Sequence, residues 1–151
     1  MQRCKAEEMK PYFYDITLRD GNQSLKKPWS LEEKQLIFDK IVELNIPAIE
    51  IGFPASSEMD FLACQNLANR ANENTRVSVL ARANKNDIDK ALLAIKDAKC
   101  ARLHTFITLS PFHMENVLNK NAEEVSKIAI EAVKYAKSEI DKLNKNFDIE
   151  F

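Results

Sequence analysis

Arg19 and Asp20 stand side by side where an apolar run ends, and Gly21, Asn22 and Gln23 follow them. A second apolar run, Ala48 to Phe53 (AIEIGF), is interrupted by Glu50 and reaches Gly52 near its end. A third, Arg102 to Leu109 (RLHTFITL), carries His104, Thr105 and Thr108, and Ser110 and His113 follow in a loop. These residue types suit the binding of a substrate anion and a metal ion. A guanidinium can hold a substrate anion. A carboxylate at a bend can take a hard divalent cation. In extended backbone, Arg19 and Asp20 would face opposite ways, one for each task, and Gly21 would permit the bend. In I-E-I-G-F, Ile49 and Ile51 point away from Glu50. If the isoleucines meet a helix layer, Glu50 points inward, where a carboxylate is costly without a partner. Arg19, at the neighbouring strand end, is the natural partner. Each piece taken singly has a plainer reading: a stabilising Arg–Glu pair, a surface Arg-Asp-Gly turn, a hydrogen-bonded core histidine and a surface His113.

The elements that must position these residues alternate strand and helix. Tyr12 to Leu18 is rich in aromatic and β-branched residues and predicts a strand. Ser30 and Glu33 have capping-box spacing at the start of a helix, in which Ile37, Ile41 and Leu44 share a face. Ala48 to Phe53 is the second strand. Ser57 and Asp60 resemble another cap, and Phe61, Cys64, Leu67 and Ala71 continue one face. Val77 to Ala81 is a third strand. Asn84 or Asn86 caps a third helix faced by Ile88, Ala91, Leu92 and Ile95. Arg102 to Leu109 is the fourth strand. Asn121 and Glu124 open a long helix to about Lys142, faced by Val125, Ile128, Ala132 and Ala136. Asn144 to Asn146 break it, and Phe147 to Phe151 begins a fifth strand. Repeated βα units predict a parallel sheet with right-handed crossovers. A doubly wound sheet and a barrel both fit that order. The chain stops inside a strand, which suggests a fragment with two open sheet edges.

Composition narrows the function. The 151 residues suffice for one globular core. Acidic and basic side chains nearly balance at net −1, which argues against a nucleic-acid or membrane-surface partner. No apolar run reaches the roughly 18 residues of a membrane span, and residues 1–10 lack a signal-peptide core. The three cysteines, Cys4, Cys64 and Cys100, are odd in number and far apart. A disulfide framework is therefore not expected, and the reducing cytoplasm is the simplest location. With only two glycines, a glycine-rich phosphate cradle is excluded, and each glycine is expected where a side chain does not fit. The chain contains no H-x-H, H-E-x-x-H, Walker or G-x-G-x-x-G motif.

The run Asp15 to Gln23, D-I-T-L-R-D-G-N-Q, resembles the opening signature of the family that contains 2-isopropylmalate, homocitrate and citramalate synthases and hydroxymethylglutaryl-CoA lyases. I-E-I-G-F-P-A-S-S-E-M-D-F is similar to that family's second-strand motif, in the form of the isopropylmalate synthases. Arg102 to Glu115, R-L-H-T-F-I-T-L-S-P-F-H-M-E, is similar to the same subfamily's fourth strand and loop. The resemblance implies an α/β fold, the N-terminal portion of a TIM (β/α)₈ barrel with about five strands. Residues 1–11 would be an extension and 12–151 a truncated pyruvate carboxyltransferase-like catalytic domain.

It also implies roles. Asp20 would be a metal ligand, for Mg²⁺ or Mn²⁺ first and Zn²⁺ as an alternative. Arg19 would contact the keto oxygen of the 2-oxo acid, and Glu50 would orient Arg19. Gln23 and His104 would lie near the bound substrate. The implied reaction condenses acetyl-CoA with 3-methyl-2-oxobutanoate, the committed step of leucine biosynthesis, in a homo-oligomer when complete. This chain departs from the family by lacking the H-x-H pair, a later asparagine, the Ser-x-Glu element and the regulatory domain. The polypeptide alone is therefore expected to be inactive without the C-terminal barrel half. Citramalate or homocitrate synthesis, reverse cleavage by a lyase, a non-catalytic fragment and a free-standing doubly wound binding domain stand as alternatives.

Overall fold

The computed structural model describes residues 11–151. Its elements run β1 (Tyr14–Asp15), a π-turn (Thr17–Gly21), α1 (Leu31–Glu43), β2 (Ala48–Gly52), α2 (Glu58–Arg70), β3 (Arg76–Arg82) and α3 (Lys85–Ile95). There follow β4 (Cys100–Phe106), the short α4 (Pro111–His113), a second π-turn (Met114–Leu118), α5 (Ala122–Leu143) and β5 (Asn146–Glu150). The helix starts obey their local sequence. Ser30 and Asn121 each form a full capping box, with Glu33 and Glu124. Ser57 and Asn84 accept the backbone N–H groups of Asp60 and Asp87. Asn144, left-handed at φ 50°, ends α5, a conformation asparagine tolerates well.

The strands lie in the order β1-β2-β3-β4-β5, and every pair is parallel. A doubly wound sheet reverses its direction of growth at a switch point. Sequential order with right-handed crossovers instead puts the helices on one face. The chain is thus a partial barrel, and the choice between the two predicted architectures falls to the barrel. The outer sheet face carries Ile49, Ile51, Val77, Val79, Ala101 and Leu103, all fully buried. They form one core with Phe38, Leu67, Ile88, Ile95 and Ala136 of the helices.

The inner face is polar. Arg102 grips Asp148 with Nε and Nη2, both at 2.9 Å, and reaches Glu150 with Nη1 at 3.3 Å. Arg76 also pairs with Asp148. Four charged side chains of opposite sign thus neutralise one another inside the sheet's curve.

Three local expectations change. The first strand is only Tyr14–Asp15. The Ile16 carbonyl accepts N–H groups from Arg19, Asp20 and Gly21, and the Asp15 carboxylate accepts from the Thr17 backbone and hydroxyl. These local bonds turn the chain before its β-branched residues can extend it. The fourth strand closes at Phe106, not Leu109. On α1, Leu44 is exposed, and Lys34 and Phe38 occupy the buried face with Ile41. Lys34 hides there because its ammonium finds the Asp60 carboxylate at 2.8 Å.

Candidate active site

The carboxyl ends of parallel strands are where barrel chemistry gathers, and a cluster of polar side chains around Glu50 lies toward that end. Glu50 is fully buried on β2. Alternation along the strand sends its neighbours Ile49 and Ile51 into the helix layer and Glu50 to the inside. Its Oε2 accepts from Arg19 Nε. Its Oε1 lies 2.6 Å from His104 Nδ1 and 3.2 Å from the Tyr14 hydroxyl. Tyr14 in turn lies 2.8 Å from Ser78 Oγ. Side chains of β1, its π-turn and β4 thereby meet on the β2 carboxylate, and Ser78 of β3 joins them through Tyr14.

The electrostatics follow from these contacts. Burial alone would push the Glu50 carboxyl up; the bonds from His104 and Arg19 together outweigh it and hold the group below its ordinary range. His104 is held above its ordinary value, first by its bond to Glu50, against a smaller effect of burial. Since Nδ1 donates to Glu50, Nε2 is the nitrogen left for other work.

Arg19 and Asp20 do not face opposite ways. The π-turn replaces extended backbone, and Arg19 Nη1 donates to Asp20 Oδ1 at 2.7 Å. Asp20 remains well exposed, at 61% of its side chain, and no hydrogen bond among the described residues occupies its Oδ2. As a donor it suits a hard divalent cation, but one carboxylate does not hold such an ion by itself. Among the described residues, no group of three or more His, Cys, Asp or Glu side chains gathers as a metal cage. Gln23 is exposed and lines a separate cavity of about 540 Å³ with Asn22, Trp29, Lys34, Met59 and Asp60. His113 lies exposed in the β4–α5 connection, and the structure does not bring it to the cluster.

Sequence reasoning missed Tyr14 and Ser78, the second ring around Glu50. The available signal was their register, since Tyr14 sits on β1 beside Ala48 and Ser78 is the β3 partner of Glu50. It also missed the brace of the loop after β2. Asp60 accepts the Phe53 backbone N–H at 2.7 Å, the Ser56 hydroxyl at 3.2 Å and the Lys34 ammonium. Gly52 makes this brace possible, because a Cβ there would meet Cys64 Sγ at 2.6 Å and Asp60 Oδ2 at 3.2 Å. Gly21 is different: a Cβ there would make only ordinary contact with Thr17. Gly52→Ala is accordingly expected to cost roughly 1–3 kcal/mol of stability through overpacking, and Gly21→Ala much less. Urea unfolding of the two variants checks the contrast; equal midpoints would contradict it.

Known proteins place nearly the whole chain in a family. Residues 10–150 match the family described as HMGL-like. The chain is 41% identical over 128 residues to 2-isopropylmalate synthase 2 of Leptospira interrogans, covering 85% of this chain and 30% of that protein. It is 45% identical over 138 residues to 2-isopropylmalate synthase of Pyrococcus furiosus, covering 91% of this chain and 26% of that one. The synthase of Bacillus pumilus is 46% identical over 125 residues, with 83% and 24% covered. The chain thus spans about a quarter of the length of the curated relatives it matches. Among solved structures, the HMG-CoA lyase of Bacillus subtilis, a TIM barrel, superposes with a TM-score of 0.63 at 18% identity, covering 90% of this chain and 44% of the lyase. With five sequential parallel strands, a buried carboxylate gripped at their carboxyl ends and a match along nearly its whole length, this chain belongs to the HMGL-like family.

Proposed function

We propose that this chain is the N-terminal part of the catalytic barrel of a 2-isopropylmalate synthase. The complete enzyme would condense acetyl-CoA with 3-methyl-2-oxobutanoate, giving 2-isopropylmalate and CoA for leucine synthesis. The observation that carries the reading is the clamp of Arg19 and His104 on the buried Glu50.

Each side chain has a task that its contacts suit. Glu50 takes Arg19 Nε and Asp20 takes Nη1, so Nη2 is left for the keto oxygen of the substrate. A guanidinium anchored at two points is pre-organised to meet charge as it develops on that oxygen. His104, kept protonated by Glu50 to higher pH than usual, offers Nε2–H to a substrate oxygen. When bound, a divalent cation, Mg²⁺ or Mn²⁺ first and Zn²⁺ as an alternative, would polarise the carbonyl; Asp20 would supply one of its oxygen ligands. The base that takes the acetyl methyl proton, and the other ligands, would come from the remaining strands. Gln23, in the neighbouring cavity, would shape the approach to the substrate and not touch the reacting carbon.

The test is thiol release from acetyl-CoA by the complete protein containing this chain. The 2-oxo acids compared are 3-methyl-2-oxobutanoate, pyruvate and 2-oxoglutarate. Release is expected with the branched acid foremost, and none from residues 1–151 alone. Preference for pyruvate or 2-oxoglutarate would instead assign citramalate or homocitrate synthesis. Clear turnover by the 151-residue chain would refute its need for the rest of the barrel.

A further inference from the structure

The reaction leaves two polar side chains beside Glu50 without a task. Tyr14 comes from β1 and Ser78 from β3, so they flank β2 from opposite sides. Ser78 is fully buried, and the one side-chain hydrogen bond it makes among the described residues is with Tyr14. A phenol carries one proton. Aimed at the carboxylate, the stronger acceptor, it leaves the Ser78 hydroxyl to donate to the phenol oxygen. Both hydroxyls are then satisfied, and so is the second acceptor site of Glu50 Oε1. The last torsion of a glutamate is broad and roughly two-fold. Arg19 at Oε2 and His104 at Oε1 fix which oxygen faces which partner, but both partners belong to groups that would also engage substrate. Tyr14 does not share that duty, so its hold persists while they do so.

We propose that Tyr14, seated on Ser78, is a positioning residue that fixes the Glu50 carboxylate in the orientation presenting Oε1 to His104 and Oε2 to Arg19. The effect on turnover rests on the condensation reading above; the effect on Glu50 and His104 does not. Burial pushes the Tyr14 phenol well above its ordinary range, and Glu50 adds to that rise against the opposing bond to Ser78, so the phenol keeps its proton across the working pH range. Removing it takes one donor from Oε1. The carboxylate then holds the His104 Nδ1–H more tightly. The other charged groups felt by His104 are Glu150, which also raises its proton affinity, and Arg19, which lowers it.

The experiment titrates His104 by NMR in the complete protein, with the resonance assigned through a His104→Gln variant. Tyr14→Phe keeps the ring and removes only the hydroxyl. It is expected to raise the His104 midpoint by about half a unit. Ser78→Ala is expected to move it the same way by less, and it serves as the second variant should Tyr14→Phe fold poorly. Glu50→Gln is expected to lower the midpoint. In the turnover assay, Tyr14→Phe is expected to lower kcat about three- to tenfold, with KM for acetyl-CoA unchanged. An unchanged His104 midpoint in both Tyr14→Phe and Ser78→Ala overturns the proposal, whether or not the protein turns over. A shifted midpoint in a protein that consumes none of the 2-oxo acids leaves Tyr14 in its role and defeats the synthase reading alone.

Discussion

Glu50→Ala is expected to destabilise the fold by about 3–5 kcal/mol, the usual cost of removing one partner of a buried charged network. Nothing else among the described residues takes the Arg19 Nε bond, and His104 loses the group that raises its proton affinity. Tyr14 and Ser78 would be left to satisfy each other beside a new void. Glu50→Gln should fall between: it keeps the volume and one acceptor oxygen but surrenders the charge. Denaturant unfolding measures both, and an alanine variant within about 0.5 kcal/mol of the parent, the range of an ordinary surface substitution, would contradict the importance of the network.

The same pair sets a pH dependence whose sign is fixed by the two shifts. The folded Glu50 carboxyl sits below its ordinary value. Its stabilisation is therefore present above the unfolded value of about 4.3 and is lost as pH falls through the lower folded value. The folded His104 sits above its ordinary value. Its stabilisation is present below about 6.5 and is lost as pH rises through the raised folded value. The pair contributes most between those two ordinary values, and Glu50→Gln is expected to flatten the profile on both sides. A parent profile that keeps rising through neutrality and loses nothing to this substitution would show that the pair does not titrate as a unit.

Arg19→Lys is expected to lower kcat of the complete enzyme about 10²- to 10³-fold, the range seen when an oxyanion donor is removed. The charge survives, but the geometry does not. A guanidinium reaches Glu50 with Nε and Asp20 with Nη1 and still presents Nη2. An ammonium on a flexible stem is a point charge without that fork. Under the proposed condensation the loss is expected in kcat, because the contact would matter most when charge reaches the keto oxygen. If only KM rises and kcat holds, Arg19 is a binding group with no special claim on the transition state.

Much of this architecture is legible in the residues because its causes are local. Ser30 with Glu33 and Asn121 with Glu124 satisfy free N–H groups within one turn, so their helices begin where the sequence says. The face of Ile88, Ala91, Leu92 and Ile95 is buried as its spacing requires. The inward turn of Glu50 follows from two flanking isoleucines. The partnership of Glu50 with Arg19 was also readable, because a buried carboxylate demands a cation and one stood at the next strand end.

Other features depend on where distant strands come to rest. Tyr14 meets Glu50 across 36 residues, Ser78 meets Tyr14 across 64, and His104 meets Glu50 across 54. No periodicity encodes such separations; the parallel register does. The meeting of Arg19 with Asp20 was hidden for the opposite reason. Three N–H groups converging on the Ile16 carbonyl make a π-turn, and that competition between local bonds overrides the strand preference of the surrounding residues. Lys34 is part of the buried face of α1 because Asp60, on another helix, neutralises it. The sequence by itself thus determined the alternation of main strands and helices, the starts of the four long helices and the inward-facing carboxylate. Only the tertiary structure decided the order of the strands and the set of side chains that closes on Glu50, because burial and register are properties of the assembled sheet.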